Sequence, residues 1–186
     1  MSRIRQYESN AERQRAYRKR RKRSVHFSSK SDNWRTPEWL FRALNEEFTF
    51  DVDVCASAEN TQLPVFYDKK TNCLKQKWTG SCWMNPPYGR TIGKWVQKAY
   101  VSARRNNAVV VCLIPARTDT KYWHRYCAKA EVRFFQGRLK FNNAGPAPFP
   151  SAVVVFKRNG TAVTIYVSRY GSYVIIVMIF ERAETC

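Results

Sequence analysis

Residues 81–90, SCWMNPPYGR, hold the groups in this chain best placed to do chemistry: a carboxamide (Asn85), two prolines (Pro86, Pro87) and a phenol (Tyr88), then a Gly89-Arg90 turn. Each proline lacks a backbone N–H, so a central strand cannot continue through the pair. One reading is a strand-ending turn with a packed tyrosine. The other is a rigid shelf, with the amide and carbonyls aimed at a ligand and a ring to stack on it.

Other chemistries find less support. The six cysteines stand at 55, 73, 82, 112, 127 and 186 with no C-x-x-C pair, and His26 and His124 are the only histidines. That spacing is not a zinc ribbon, and no metal is expected. Cys55, Cys82 and Cys112 lie in apolar runs, where a reduced thiol behaves as a small hydrophobe, as expected of a cytoplasmic protein. The charged N-terminus lacks the apolar core of a secretory leader. The run at 174–180, seven residues, is too short to span a bilayer.

The elements that must position the shelf follow from patterning. At 186 residues, one main domain with a real core is expected. In TPEWLFRALNEEF, Thr36 is the expected N-cap and Pro37 the first helical residue, with Leu40, Phe41 and Leu44 on one face. FTFDVDVCA alternates as a strand, with Asp51 and Asp53 on the face opposite Phe50, Val52 and Val54. VFYD and SCWMN read as short strands, IGKWVQKAYVSARR as an amphipathic helix, and AVVVCLIPA as a buried parallel strand. DTKYWHRYCAKA reads as a helix, followed by strands EVRFFQGRLKF and SAVVVFKR. The predicted fold is an α/β sheet, mostly parallel, with an antiparallel strand near the end. Residues 34–159 form that domain, and 160–186 are a tail able to add a hairpin through SRYG.

The net charge of +19 points to a polyanionic partner, nucleic acid first and an anionic membrane surface second. Residues 1–33 read as a disordered arm and linker. Residues 1–30 carry eleven Lys/Arg against two Glu, hence +9. Within RQRAYRKRRKR, Arg18, Lys19, Arg20, Arg21, Lys22 and Arg23 are the expected phosphate contacts. Residues 11–23 have no helix breaker and would become helical against a polyanion, since their like charges repel when free.

The shelf at the end of a buried strand resembles the Asn-Pro-Pro-Tyr motif of amino-group methyltransferases. The ordered set WRTPEWLFRALNEEFTFDVDVCASAEN, WMNPPYGRTIGKWVQKA, LIPARTDTKYWH, GRLKF and PFPSAVVVF is similar to the phage DNA N-6-adenine methyltransferase (Dam-type) family over residues 33–158. The resemblance implies a Rossmann-like sheet, S-adenosylmethionine as cofactor and double-stranded DNA as substrate. It also implies a phage or prophage source, and a monomer is expected. By this resemblance Asn85 and Pro86 supply two acceptors to the exocyclic amine of a flipped adenine, and Tyr88 stacks on the base. Thr36 and Pro37 would lie near the methionine part of the cofactor, Asp51 or Asp53 by its ammonium, and Asp68 on its ribose. DVDVCASAEN has no glycine turn, a departure from many such enzymes.

Alternatives stand beside these roles. Asp51 and Asp53 would face solvent on an edge strand, and Asn60 would be a turn residue rather than a cofactor ligand. Arg117, Thr118 and Asp119 line the target pocket or hold a phosphate, or Thr118 or Asp119 caps the next helix. Arg90 belongs to the DNA face, and Arg138 faces a phosphate or forms a surface salt bridge. Trp95 and Trp123 read as core. The same clamp would also serve an RNA or protein-glutamine methyltransferase. A basic nucleic-acid-binding protein that keeps the fold without catalysis is the alternative from another class.

Overall fold

The computed structural model describes residues 9–15, 34–141, 145–169 and 175–181. The chain divides into two units, residues 1–32 and 33–186. Arg18 to Arg23 and the linker lie outside the described residues. In the first unit, residues 10–15 are helical. The Ser9 hydroxyl accepts the Glu12 N–H at 3.2 Å, which is half of the Ser-x-x-Glu capping pattern.

The second unit begins with α1 (Glu38–Phe48), whose Leu40, Phe41 and Leu44 are buried. Phe41 meets Trp83 edge-on at 5.6 Å, so the helix's apolar stripe packs on the sheet. The helix stops at Thr49, which takes a left-handed conformation and donates its N–H to the Asn45 carbonyl at 2.9 Å. Pro37, not Thr36, is the N-cap. The expected cap is displaced by one residue because the Thr36 hydroxyl is used elsewhere, as described below.

Among the described residues seven strands form one sheet: β1 (Val52–Asp53), β2 (Ser81–Met84), β3 (Val109–Pro115), β4 (Glu131–Phe135), β5 (Ser151–Phe156), β6 (Val163–Arg169) and β7 (Ile175–Glu181). Their order is β1-β2-β3-β5-β4-β6-β7. β1 with β2, β2 with β3 and β4 with β6 pair in parallel. β3 with β5, β4 with β5 and β6 with β7 pair antiparallel. The sheet is therefore mixed rather than mostly parallel. Its directions are nonetheless uneven, since only β5 and β7 run against the other strands. α2 (Ile92–Asn106) carries the chain from β2 to β3. α3 (Lys121–Arg125) follows β3 and gives way at Tyr126 to a 3₁₀ turn, so the helix expected over DTKYWHRYCAKA is broken. β6 pairs with β4, which makes the predicted tail part of the main sheet.

The strand expected over residues 48–56 shrinks to two residues. The Asp51 carboxylate accepts the Ser81 N–H at 2.7 Å, across the start of β2. Gly80, at φ +66°, leaves room for this hydrogen bond, because a Cβ there would collide with the Asp51 carboxylate oxygen. On the far side of β1, Phe66 forms a parallel bridge with Asp53, the remnant of the strand predicted at VFYD. The chain thus leaves β1 for its outer neighbour and returns on the other side as β2, so the strand order reverses at β1. In open α/β sheets ligands bind beyond the carboxyl ends at such a reversal.

An ion-pair cluster holds α1 to the sheet. Arg133 on β4 donates to both Glu47 oxygens and to Glu131, and its guanidinium lies 5.3 Å from the Phe48 ring centre. These bonds hold the Glu47 carboxyl below its usual range. The core is apolar: Val110, Val111, Cys112, Leu113 and Ile114 of β3 and Val153 and Val154 of β5 are fully buried. Trp123 is core, whereas Trp95 is half-buried against Trp78. The five described cysteines are free thiols, with burial pushing Cys82 and Cys127 up to about 12. Among the described residues no helix is long and apolar enough to cross a membrane.

Candidate active site

Asn85 comes directly after Met84, the last residue of β2, and its side chain is held on three sides. Its amide nitrogen donates to the Trp34 carbonyl and to the Thr36 hydroxyl, the latter at 2.9 Å. Its oxygen accepts the Tyr88 hydroxyl at 2.7 Å. A backbone carbonyl can only accept, so the Trp34 carbonyl dictates which end of the amide carries the hydrogens. The oxygen is left turned toward Tyr88, with a second lone pair. Pro86 is buried while Asn85 and Pro87 are half-buried.

Tyr88 is 5% exposed and far from an open platform. Trp34 lies nearly parallel to it, 6.5 Å between ring centres and 17° between planes. Phe149 and Phe141 meet it edge-on at 5.5 and 6.2 Å. The ring expected to stack on a base is therefore one wall of an aromatic box built from three separate loops. Burial raises the phenol's pKa well above 10, so the hydroxyl is a neutral donor. Its one proton goes to Asn85, with the Leu113 carbonyl standing 3.3 Å away as the alternative acceptor.

At the end of β1, Asp53 is 5% exposed rather than solvent-facing. Its carboxylate accepts one hydrogen bond, from the Cys55 N–H at 3.2 Å, and no basic side chain pairs with it among the described residues. Burial therefore raises its pKa to about 7, only partly offset by that N–H. Cys55 lies between the two strand ends. Its thiol faces the Asn85 N–H on one side and Asp53 on the other, and burial pushes it well above the ordinary thiol value.

The remaining predicted cofactor residues separate. Asp51 sits at the amino-terminal side of β1 and is engaged by Ser81, which removes it from the site. Asn60 accepts the Ser57 N–H at 2.7 Å and closes a local turn. Asp68 is half-buried beyond the Phe66 bridge, its carboxylate accepting the Thr71 N–H at 2.9 Å, and this bond lowers its pKa. Thr36 is 7% exposed, and Pro37 is half-buried at the helix start.

Arg90, Arg117 and Arg138 are exposed on the loops that follow β2, β3 and β4, all at the edge that carries Asn85. Thr118 and Asp119 are exposed beside Arg117. Neither caps α3: that place belongs to Thr120, whose hydroxyl donates to the Arg117 carbonyl at 2.7 Å. Arg138 has no salt bridge among the described residues, and Gly137 before it takes φ +79°, a turn after β4 where a bulge within a longer strand was expected. Trp34, Phe141 and Phe149 were not singled out from the sequence, and Cys55 was read only as a small hydrophobe. Phe149, between two prolines, and Trp34, the first apolar residue after the arm, offered weak signals at most.

An oriented carboxamide, a buried carboxylate on the neighbouring strand end and a rim of exposed arginines thus stand together at one edge of an α/β sheet. Residues 23–169 match DNA N-6-adenine-methyltransferase (Dam), and the chain belongs to this family. It is 36% identical over 121 residues to the DNA N-6-adenine-methyltransferase of Haemophilus phage HP1 (strain HP1c1), covering 62% of this chain and 69% of that protein. It is 29% identical over 157 residues to the DNA N-6-adenine-methyltransferase of Escherichia phage T1, covering 82% of this chain and 65% of the relative. The family match reaches into β6, beyond residue 158 where the sequence resemblance ended, and leaves residues 1–22 outside.

Proposed function

We propose that this protein transfers a methyl group from S-adenosylmethionine to the N6 amine of an adenine flipped from double-stranded DNA at a specific sequence. The observation that carries this reading is the fixed Asn85 amide at the end of β2, beside an unpaired buried carboxylate at the end of β1. Family membership supports it. So does the placement of an antiparallel β5 between two strands of opposite direction, in keeping with a Rossmann-like methyltransferase sheet.

The residues fit the cofactor's chemistry. Asp53 is buried with one hydrogen bond and no counter-charge among the described residues, which suits an ammonium such as that of the methionine moiety. Asp68, beyond the outer neighbour of β1, is the candidate for the ribose hydroxyls. When bound, the cofactor supplies an electrophilic methyl.

An adenine amine is a poor nucleophile because its lone pair is delocalised into the ring. Acceptors on its two hydrogens orient that lone pair and stabilise the positive charge developing on nitrogen. The Asn85 oxygen and the Pro86 carbonyl provide the two acceptors. Tyr88 itself is packed, so the ring face is offered the half-buried rings of its box, Trp34 and Phe149, an interaction worth roughly 1–3 kcal/mol. Arg90, Arg117 and Arg138 bind phosphates, as do the basic residues of the arm.

Tritiated methyl transfer to unmethylated DNA, RNA and protein, followed by nucleoside analysis, tests the proposal. N6-methyladenine in duplex DNA is expected. Label confined to RNA or glutamine would reassign the substrate, and no label with intact DNA binding would make the protein a binder only.

A further inference from the structure

The amide of an asparagine turns about a broad terminal torsion, so a strand end alone does not aim it. Here the short segment Trp34-Arg35-Thr36 crosses Asn85 from almost fifty residues upstream and takes both amide hydrogens. The Trp34 carbonyl decides which end is nitrogen. A hydroxyl can donate as well as accept, so Thr36 cannot make that choice; its bond at 2.9 Å instead fixes the plane of the amide. Thr36 is nearly inaccessible, and it forgoes the helix cap that its position in Thr-Pro-Glu would otherwise provide. The Trp34 ring, against Tyr88, Phe141 and Phe149, keeps the segment in place.

We infer that Thr36 is a positioning residue for methyl transfer: its hydroxyl locks the Asn85 amide so that the oxygen faces the substrate amine. The inference rests on the clamp proposed above, and it removes Thr36 from direct cofactor binding. Losing the hydroxyl removes one of the three bonds that hold the amide, so the productive orientation becomes less populated.

The test compares Thr36→Val and Thr36→Ser with the parent chain, measuring kcat at saturating cofactor and DNA, S-adenosylmethionine Kd by calorimetry, and Tm. Val keeps the shape and removes the bond, and about a tenfold loss of kcat is expected, the scale of one buried hydrogen bond. The cofactor Kd should stay within about twofold of the parent, and Ser should restore kcat to within about threefold. Full kcat in Thr36→Val would overturn the inference. A raised cofactor Kd with unchanged saturated kcat would make Thr36 a cofactor ligand, and a Ser variant as slow as Val would reduce it to packing. Should Val not fold, Thr36→Ala is read by the same criteria. An active Asn85→Ala variant would sink the clamp itself, whereas an inactive one beside a fully active Thr36→Val would sink only this inference.

Discussion

Two neighbouring strand ends in this molecule are furnished in opposite ways. At the end of β2, the Asn85 amide has partners for both hydrogens and for its oxygen. At the end of β1, Asp53 is as deeply buried as Tyr88 yet accepts a single backbone N–H. A saturated group is held in one orientation; an unsaturated carboxylate destabilises the free protein until a cation arrives. The first suits transition-state positioning, and the second suits binding.

Breaking the saturated end should cost the most. Asn85→Ala is expected to lower kcat by ~10²-fold or more, by analogy with deleting one preorganised group, while cofactor binding and Tm stay near the parent values. Near-normal turnover by this variant would remove the clamp from the mechanism.

Deleting residues 1–30 removes +9 of the +19 charge, so duplex binding should weaken without vanishing. The salt dependence should flatten by ~0.9 log unit of slope for each phosphate that the arm no longer neutralises. The methylated sequence should not change, because base edges are read by the folded part. An unchanged slope in filter binding across several salt concentrations would take the arm off the DNA.

On the proposed function, the unsaturated end should make S-adenosylmethionine affinity depend on pH. An ammonium prefers ionised Asp53, whose pKa in the free protein is raised to about 7. Affinity should be level above that value and fall below it, approaching tenfold per pH unit. A titration series from pH 8 to 5.5 that stays flat would show that Asp53 does not meet the ligand's charge.

Local pattern carried the apolar strands and α2 well, since β3 and β5 are continuous buried runs and α2 is amphipathic over fifteen residues. It also carried the end of β2 at Met84, because two prolines after an apolar strand leave few conformations. It overextended β1, where a long-range bond from Asp51 to Ser81 and the left-handed turn at Thr49 confine the strand. Thr36 was misassigned as a cap for the same reason: its partner is 49 residues away. Asp51 and Asp53 look alike in DVDV, and only the pairing of β1 shows one bonded to Ser81 and the other buried at the carboxyl edge. The aromatic box was invisible in outline, since Trp34, Tyr88, Phe141 and Phe149 meet only through the fold.

The contrast between the two ends is tested most directly by Asp53→Asn, read by calorimetric titration of S-adenosylmethionine and by the Tm of the ligand-free protein at pH 8. Asp53 has a folded pKa of about 7 against an ordinary value of 3.8, so the folded state keeps a proton that the unfolded chain loses over that window. Stability therefore declines as pH rises from about 4 to 7, and a neutral amide escapes the decline. Weaker cofactor binding together with a Tm raised by at least ~2 °C is the predicted pair of results. Unchanged affinity, or a Tm that falls with it, would contradict the account.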